Sequence, residues 1–361
     1  MKDSEYPPQF EALLRGLFAR VPFLKLASLK SNHPISPRSS DRADWVARVV
    51  TGDRKFVWIV ESLPVGYPKE VRSAVLKLEH YLLKLPPDPT HYGVVIAPFL
   101  SAESARICTE AGMGYADLAG NVRLSFGQVF IEMQGTKNPF REKRANRSLF
   151  APRAARVLRV LLQGPLRPWK VTELAAASQV SLGWVSAVRQ QLQGHEWAAE
   201  GAGGLRVTKP GSILDSWAKA DDWKKRIVSQ EYSVLLSDPM ELAAKLNQTL
   251  RESPPVFTQW FAAGLRHPYT TTPVVSAYVR QFPDDALIRE KLLGRRVSIG
   301  GGTLRLMIPK DEGVFNPTQT VQGFQLVSDI QIYLDLLSSG LRGDEHAQEL
   351  RRWPDFAGGW E

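Results

Sequence analysis

The chain has 361 residues, 43% of them hydrophobic and 23% charged, and its 46 Lys and Arg against 37 Asp and Glu leave a net charge of +9. No run approaches the ~18 uninterrupted apolar residues of a membrane helix. The opening MKDSEYPPQFEALLRGLF lacks the apolar core of a secretory signal, and the single cysteine, Cys108, excludes an internal disulfide framework or a cysteine-built zinc cluster. The expected setting is the reducing cytoplasm, and the basic balance suits a polyanionic partner.

Residues 1–139 alternate helix and strand signals. PQFEALLRGLFARV reads as a helix and SNHPISPRSS as a Ser/Pro-rich loop. DWVARVV and KFVWIVE read as strands joined by a hairpin at Thr51-Gly52-Asp53-Arg54. KEVRSAVLKLEHYLLKL sets Val71, Val75, Leu78 and Leu82 on one helical face. YGVVIAPFL is a short strand ended by Pro98, after which Ser101 caps AESARICTEAG with Glu103 in the first turn. YADLAGNVRLSF and QVFIEM close the region as strands. Asp117, Gly120 and Asn121 read as a turn, Asn and Gly supplying its backbone and Asp its cap; the other reading is a ligand or partner loop. The alternation implies an α/β layer around a mixed sheet.

The segment DWVARVV…KFVWIVES resembles the core of the PD-(D/E)xK nuclease fold. In that fold two acids hold a divalent metal and a lysine steadies the nucleophile or the transition-state charge. Asp44 and Glu61 occupy the acid positions, but Leu63 stands where the lysine belongs and the nearest lysine along the chain is Lys69. The expectation is a non-catalytic nuclease-like domain and no enzyme, with a metal-dependent DNA nuclease using Asp44 and Glu61 as the alternative.

Residues 140–217 form the second region. From Lys137 to Lys170 the cations Arg141, Lys143, Arg144, Arg147, Arg153, Arg156, Arg159 and Arg167 meet a single acid, Glu142. PRAARVLRVLLQG carries Val157, Leu158, Leu161 and Leu162 on one face and stops at Gly164. Thr172 and Glu173 open ELAAASQ, Ser181 opens LGWVSAVRQQLQG, and EWAAEGAGGLRVTKPG reads as two short strands around a Gly-rich tip. Helix, helix, helix, hairpin is the winged helix-turn-helix pattern. In the third helix Val185, Val188 and Leu192 form the buried stripe. Ser181 is the N-cap, and Gly183, Trp184, Ser186, Ala187, Arg189 and Gln190 are left outward or near the helix start. Trp184 reads equally as a core residue beneath the wing. Small and hydrogen-bonding residues suit base edges in the major groove: Arg matches guanine O6/N7 and Gln matches adenine N6/N7. The expected base readers are Arg189, Gln190 and Ser186. Arg206, Lys209, Arg153 and Lys170 are the expected phosphate contacts, the wing glycines permitting close approach. The basic run adds sequence-independent attraction. The other reading is a protein-contact module.

Residues 218–361 read as a third, α/β region. The helical PMELAAKLNQTLRES is followed by the strands VVSAYVR, RVSIG and LRLMIP and by a closing helix, SDIQIYLDLLSSG. SIGGGTLRL reads as a hairpin tip rather than a phosphate loop, since no Lys-Ser/Thr follows its glycines. In the closing stretch Tyr333, Leu334, Leu336 and Leu337 form an apolar face, with Asp335, Arg342, Gly343 and Glu345 as polar companions and Gly340 as the cap. The six histidines lack metal-ligand spacing, and no metal or cofactor is expected. The fold class is therefore α/β (α+β) multidomain, with no membrane partner.

Three stretches together, GMGYADLAGNVRL with IEMQGTKNPF, VSLGWVSAV, and VSDIQIYLDLLSSGLRGDEHAQEL, resemble the AbiEi-type transcriptional regulators, the antitoxins of type IV toxin–antitoxin systems. The resemblance implies a DNA-binding repressor and antitoxin. Its partner is double-stranded DNA, and its C-terminal domain counters a nucleotidyltransferase-like toxin without stable contact. Winged helices often read paired half-sites, which makes a homodimer a candidate arrangement.

Overall fold

A computed structural model describes residues 7–35, 40, 41–136, 148–164, 166–297, 301–340 and 342–360. The chain divides into two compact units: Met1–Ala145 with Gln193–Glu196, and Asn146–Leu192 with Trp197–Glu361. Both are mixed α/β structures, as the strand and helix periods imply.

In the first unit α1 (Pro7–Arg20) buries Phe10, Leu14, Leu17 and Phe18, one helical face. β1 (Leu24–Pro34), β2 (Arg42–Thr51) and β3 (Arg54–Ser62) form an antiparallel meander, and the two-residue β2–β3 turn begins at Gly52, whose φ of 54° suits glycine. α2 (Pro68–Lys84) crosses over to β4 (His91–Ala97), which lies parallel to β3. α3 (Ala102–Glu110) crosses to β5 (Gly114–Asp117), parallel to β4, and β6 (Val122–Phe126) and β7 (Val129–Met133) add on antiparallel. The Ser101 hydroxyl caps α3, accepting from the Ser104 amide at 3.1 Å. The seven strands therefore lie in chain order. Alternation along β2 and β3 splits the core: Trp45, Ala47, Val49, Trp58 and Val60 pack on the α1 side, whereas Val46 and Ile59 join Val71, Leu78 and Ile107 on the α2–α3 side.

The expected loop over residues 31–40 is in part strand, since Ser31–Pro34 lie in β1 and residues 36–39 are outside the described residues. β1 is an edge strand with a bulge between Leu26 and Ser28, and much of it is exposed. Leu24, Leu26 and Leu29 pack on the α1-side core, but the bulge shifts their alternation and the rest of the strand is held by its ladder to β2.

In the second unit α4 (Pro152–Leu162), α5 (Val171–Ser178) and α6 (Leu182–Gly194) precede a hairpin of β8 (Ala198–Gly201) and β9 (Gly204–Val207). α7 (Pro210–Ala220) and α8 (Trp223–Arg226) lead into β10 (Ile227–Val234), α9 (Pro239–Thr249), β11 (Val256–Thr258), α10 (Gln259–Arg266), β12 (Val275–Tyr278), α11 (Asp285–Leu292) and β13 (Gly294–Val297). β14 (Leu304–Pro309), β15 (Thr318–Val321), β16 (Phe324–Val327), α12 (Asp329–Leu337) and α13 (Gly343–Arg352) complete it. The strand order is β13-β10-β14-β12-β11-β16-β15, with β12–β14 and β11–β16 parallel. Residues of the expected 140–217 and 218–361 regions share one apolar cluster, in which Leu158, Val185 and Leu192 join Trp217, Trp260 and Leu334.

Two expectations are corrected here. β13 and β14 are not the arms of a hairpin, because β10 lies between them and pairs with both; Ser298–Gly300 are outside the described residues. Asp335 is no polar companion at the surface. It is fully buried, and its carboxylate accepts from Arg226 Nη2 at 3.0 Å, Gln331 Nε2 at 2.7 Å, Thr258 Oγ1 at 2.7 Å and the Tyr278 hydroxyl at 2.9 Å. Helical spacing put it opposite the leucines, but α12 is buried on nearly every side.

Candidate nucleic-acid interface

The site is built on α6. Val185, Val188 and Leu192 are buried, as their spacing requires, and belong to the same apolar cluster as Leu158 and Leu174. The Ser181 carbonyl accepts from the Trp184 and Val185 amides at 3.0 and 3.3 Å, so Ser181 stands at the N-cap. Ser181, Gly183, Ser186, Ala187 and Gln190 are exposed, and the last four form one helical face. The apolar Leu182 at the helix start is also exposed, at 52%.

Trp184 is half-buried and packs against the core, with the Arg153 guanidinium 6.0 Å from its ring centroid. Arg153 itself is exposed. Arg189 is about one-third exposed and pairs through Nε with Glu200 Oε2 of β8 at 3.1 Å. The sequence carries no signal that brings Glu200 to this site. Nothing local links two residues of different elements, although alternation along β8 would have put Glu200 on the same face as buried Ala198.

Arg206 and Lys209 are exposed, Arg206 lying on the outer face of β9 between buried Leu205 and Val207. Two glycines of the hairpin tip also have a role inside the fold. A Cβ on Gly204, whose φ is 110°, would stand 2.3 Å from the Trp169 carbonyl oxygen, and one on Gly203 would stand 2.8 Å from Pro168. Trp169 and Leu205 exchange backbone hydrogen bonds of 2.8 and 2.9 Å, so the tip is small because its own chain crosses it. The Arg167 guanidinium lies 3.5 Å from the Trp169 ring centroid, and Lys170, next in the chain, is exposed.

The basic run divides. Lys137, Arg141, Lys143, Arg144 and Arg147 lie outside the described residues. Arg156 forms a bidentate pair with Asp311, Nε to Oδ1 at 2.9 Å and Nη2 to Oδ2 at 2.8 Å. Arg159 is 3% exposed and donates to Gln331 Oε1 at 2.9 Å, and burial pushes its pKa down to about 10. Arg159 therefore serves the interior, buried with most of α4, whereas Arg156 stays partly exposed with its guanidinium held by Asp311.

In the first unit Asp44 and Glu61 lie one step beyond the Trp45–Val60 pair of β2 and β3. Asp44 Oδ2 accepts from the Ser62 amide and hydroxyl, both at 2.7 Å. Glu61 is 5% exposed, and Lys77 of α2 donates to its Oε2 at 2.6 Å. Burial raises the Glu61 carboxyl above its usual range against the lowering hydrogen bond from Lys77. A lysine therefore does reach the acid, from a helix rather than from the strand. Its distance along the chain hid it. Glu61 Oε1 is buried without a hydrogen-bond partner. Among the described residues no three His, Cys, Asp or Glu side chains gather into a metal-holding group.

Asp117 is a turn staple. Its carboxylate accepts from the Asn121 amide and side chain at 2.9 and 2.8 Å and from the Leu100 amide at 3.0 Å, while Gly120 takes φ 94°. Arg266, next to His267, pairs with buried Asp329 at 2.8 Å. Among the described residues no helix is long and apolar enough to cross a membrane. Compared with known proteins, the chain matches no family model, no curated protein and no solved structure.

Proposed function

We propose that the protein is a DNA-binding transcriptional regulator, a repressor that reads the major groove with α6. The observation that carries the reading is the exposed face Gly183, Ser186, Ala187 and Gln190, with Arg189 beside it, on a helix gripped from behind by Val185, Val188 and Leu192. α4, α5, α6, β8 and β9, with Trp169 pairing alongside β9, follow the element order of a winged helix-turn-helix. Ser186, Arg189 and Gln190 contact base edges. Arg153, Lys170, Arg206 and Lys209 contact phosphate. The AbiEi resemblance adds that the protein is the antitoxin of a type IV system, opposing a nucleotidyltransferase-like toxin indirectly. A homodimer on paired half-sites suits this reading.

Equilibrium binding of the full chain to a double-stranded library tests it. Arg189→Ala loses discrimination at one base position by about 1–3 kcal/mol, the range for a bidentate contact. Arg206→Ala weakens every sequence alike. If both variants bind as the parent does, the assignment fails.

The Lys77–Glu61 contact favours a second reading, a metal-dependent DNA nuclease in the first unit. Asp44 and Glu61 would supply oxygen ligands, and Lys77 would steady developing negative charge. Relaxation of supercoiled plasmid with Mg²⁺ or Mn²⁺, abolished by Glu61→Ala, is its expected result; no relaxation discards it.

A further inference from the structure

Arg189 is the cation best placed on α6 to read a base, and it is not alone. Its Nε lies 3.1 Å from Glu200 Oε2, a carboxylate carried by the hairpin rather than by the helix. Glu200 pairs across the hairpin with Leu205 and so shares the face of Leu205 and Ala198, both buried. At the tip end of that face the apolar cover thins and the carboxylate meets the guanidinium, with 40% of the Glu200 side chain and 36% of the Arg189 side chain still exposed. An ion pair this exposed contributes little to folding. Its chemistry matters at a DNA surface instead. A carboxylate on Nε leaves the two terminal amino groups of the guanidinium as the donor fork, the geometry that guanine O6 and N7 accept. The same carboxylate repels phosphate, so it disfavours sliding contacts that use Arg189 merely as a charge.

We propose that Glu200 is a positioning and specificity-determining residue of the base-reading surface. It holds Arg189 so that the guanidinium reads guanine and not the backbone. The proposal rests on the DNA-binding reading above and names its sequence preference: a guanine opposite Arg189.

The test uses the full-length parent, Glu200→Gln, Glu200→Asp, Arg189→Ala and the double variant Arg189→Ala/Glu200→Gln. Each is bound to a randomised double-stranded library and to one unselected duplex over a salt series, with thermal unfolding as a folding control. The parent selects guanine at one position. Glu200→Gln reduces that preference about tenfold, the scale of one good bidentate contact. It also raises affinity for the unselected duplex, because a negative charge is gone. Glu200→Asp, which restores the carboxylate, recovers part of the preference. In the Arg189→Ala background Glu200→Gln changes the preference no further. An undiminished guanine preference in Glu200→Gln overturns the proposal while leaving DNA binding intact, as does an equal loss in the Arg189→Ala background. Absence of any DNA binding by the parent overturns this proposal and the reading beneath it together.

Discussion

Histidine 346 shows how a single buried group makes stability depend on pH. Its ring is buried in α13, Nε2 lies 3.2 Å from the His267 carbonyl oxygen, and Nδ1 has no hydrogen-bond partner. Burial holds the imidazole below the ordinary histidine value of 6.5, against the opposing hydrogen bond to His267. On acidification the unfolded chain takes up this proton first. Stability is therefore full above the ordinary value and is lost as pH falls toward the folded one. Thermal unfolding scanned from about pH 7.5 to about pH 5 should show a smaller acid destabilisation in His346→Gln than in the parent, and equal slopes would rule the account out. Cys108 carries the opposite shift, since burial pushes its thiol up to about 12, which leaves it a poor nucleophile at neutral pH.

The elements around the site are anchored by two arginines of the basic run. Arg156 and Arg159 tie α4 to the Asp311 turn and to Gln331 of α12, so the helix that backs α6 is fixed to the rest of its unit. A double-mutant cycle on Arg156→Ala and Asp311→Ala, read by denaturant unfolding, should give a coupling of about 1.5–3 kcal/mol, the range for hydrogen bonds to charged groups. A coupling near zero would return Arg156 to the surface. Helix and strand positions at the site were legible locally. The i, i+3, i+7 stripe Val185, Val188, Leu192 and the alternation in β2 and β3 each report burial within one element. β1 was not legible, because the bulge after Leu26 breaks the alternation of Leu24, Leu26 and Leu29. The Lys77–Glu61 and Arg189–Glu200 contacts join residues of different elements, and no period within an element encodes them.

For the molecule as a whole the net charge of +9 makes long-range attraction to a polyanion the default, whatever α6 reads. Salt dependence separates that attraction from contact. If Arg153, Lys170, Arg206 and Lys209 make the four proposed phosphate contacts, the slope of log K against log salt is about −3 to −4, and removing one flattens it by about 0.9. A slope near zero would leave the basic residues without a nucleic-acid role. The amino-acid sequence alone determined the helices α4 to α6, the β2–β3 pair and which side of α6 stays polar, because periodicity and capping act over a few neighbouring residues. Tertiary structure alone decided which arginines remain outside, which carboxylate stands beside Arg189 and which lysine reaches Glu61. Burial and charge pairing of that kind arise only when distant segments pack, and a charge is the same letter in the chain whether it ends in water or in the core.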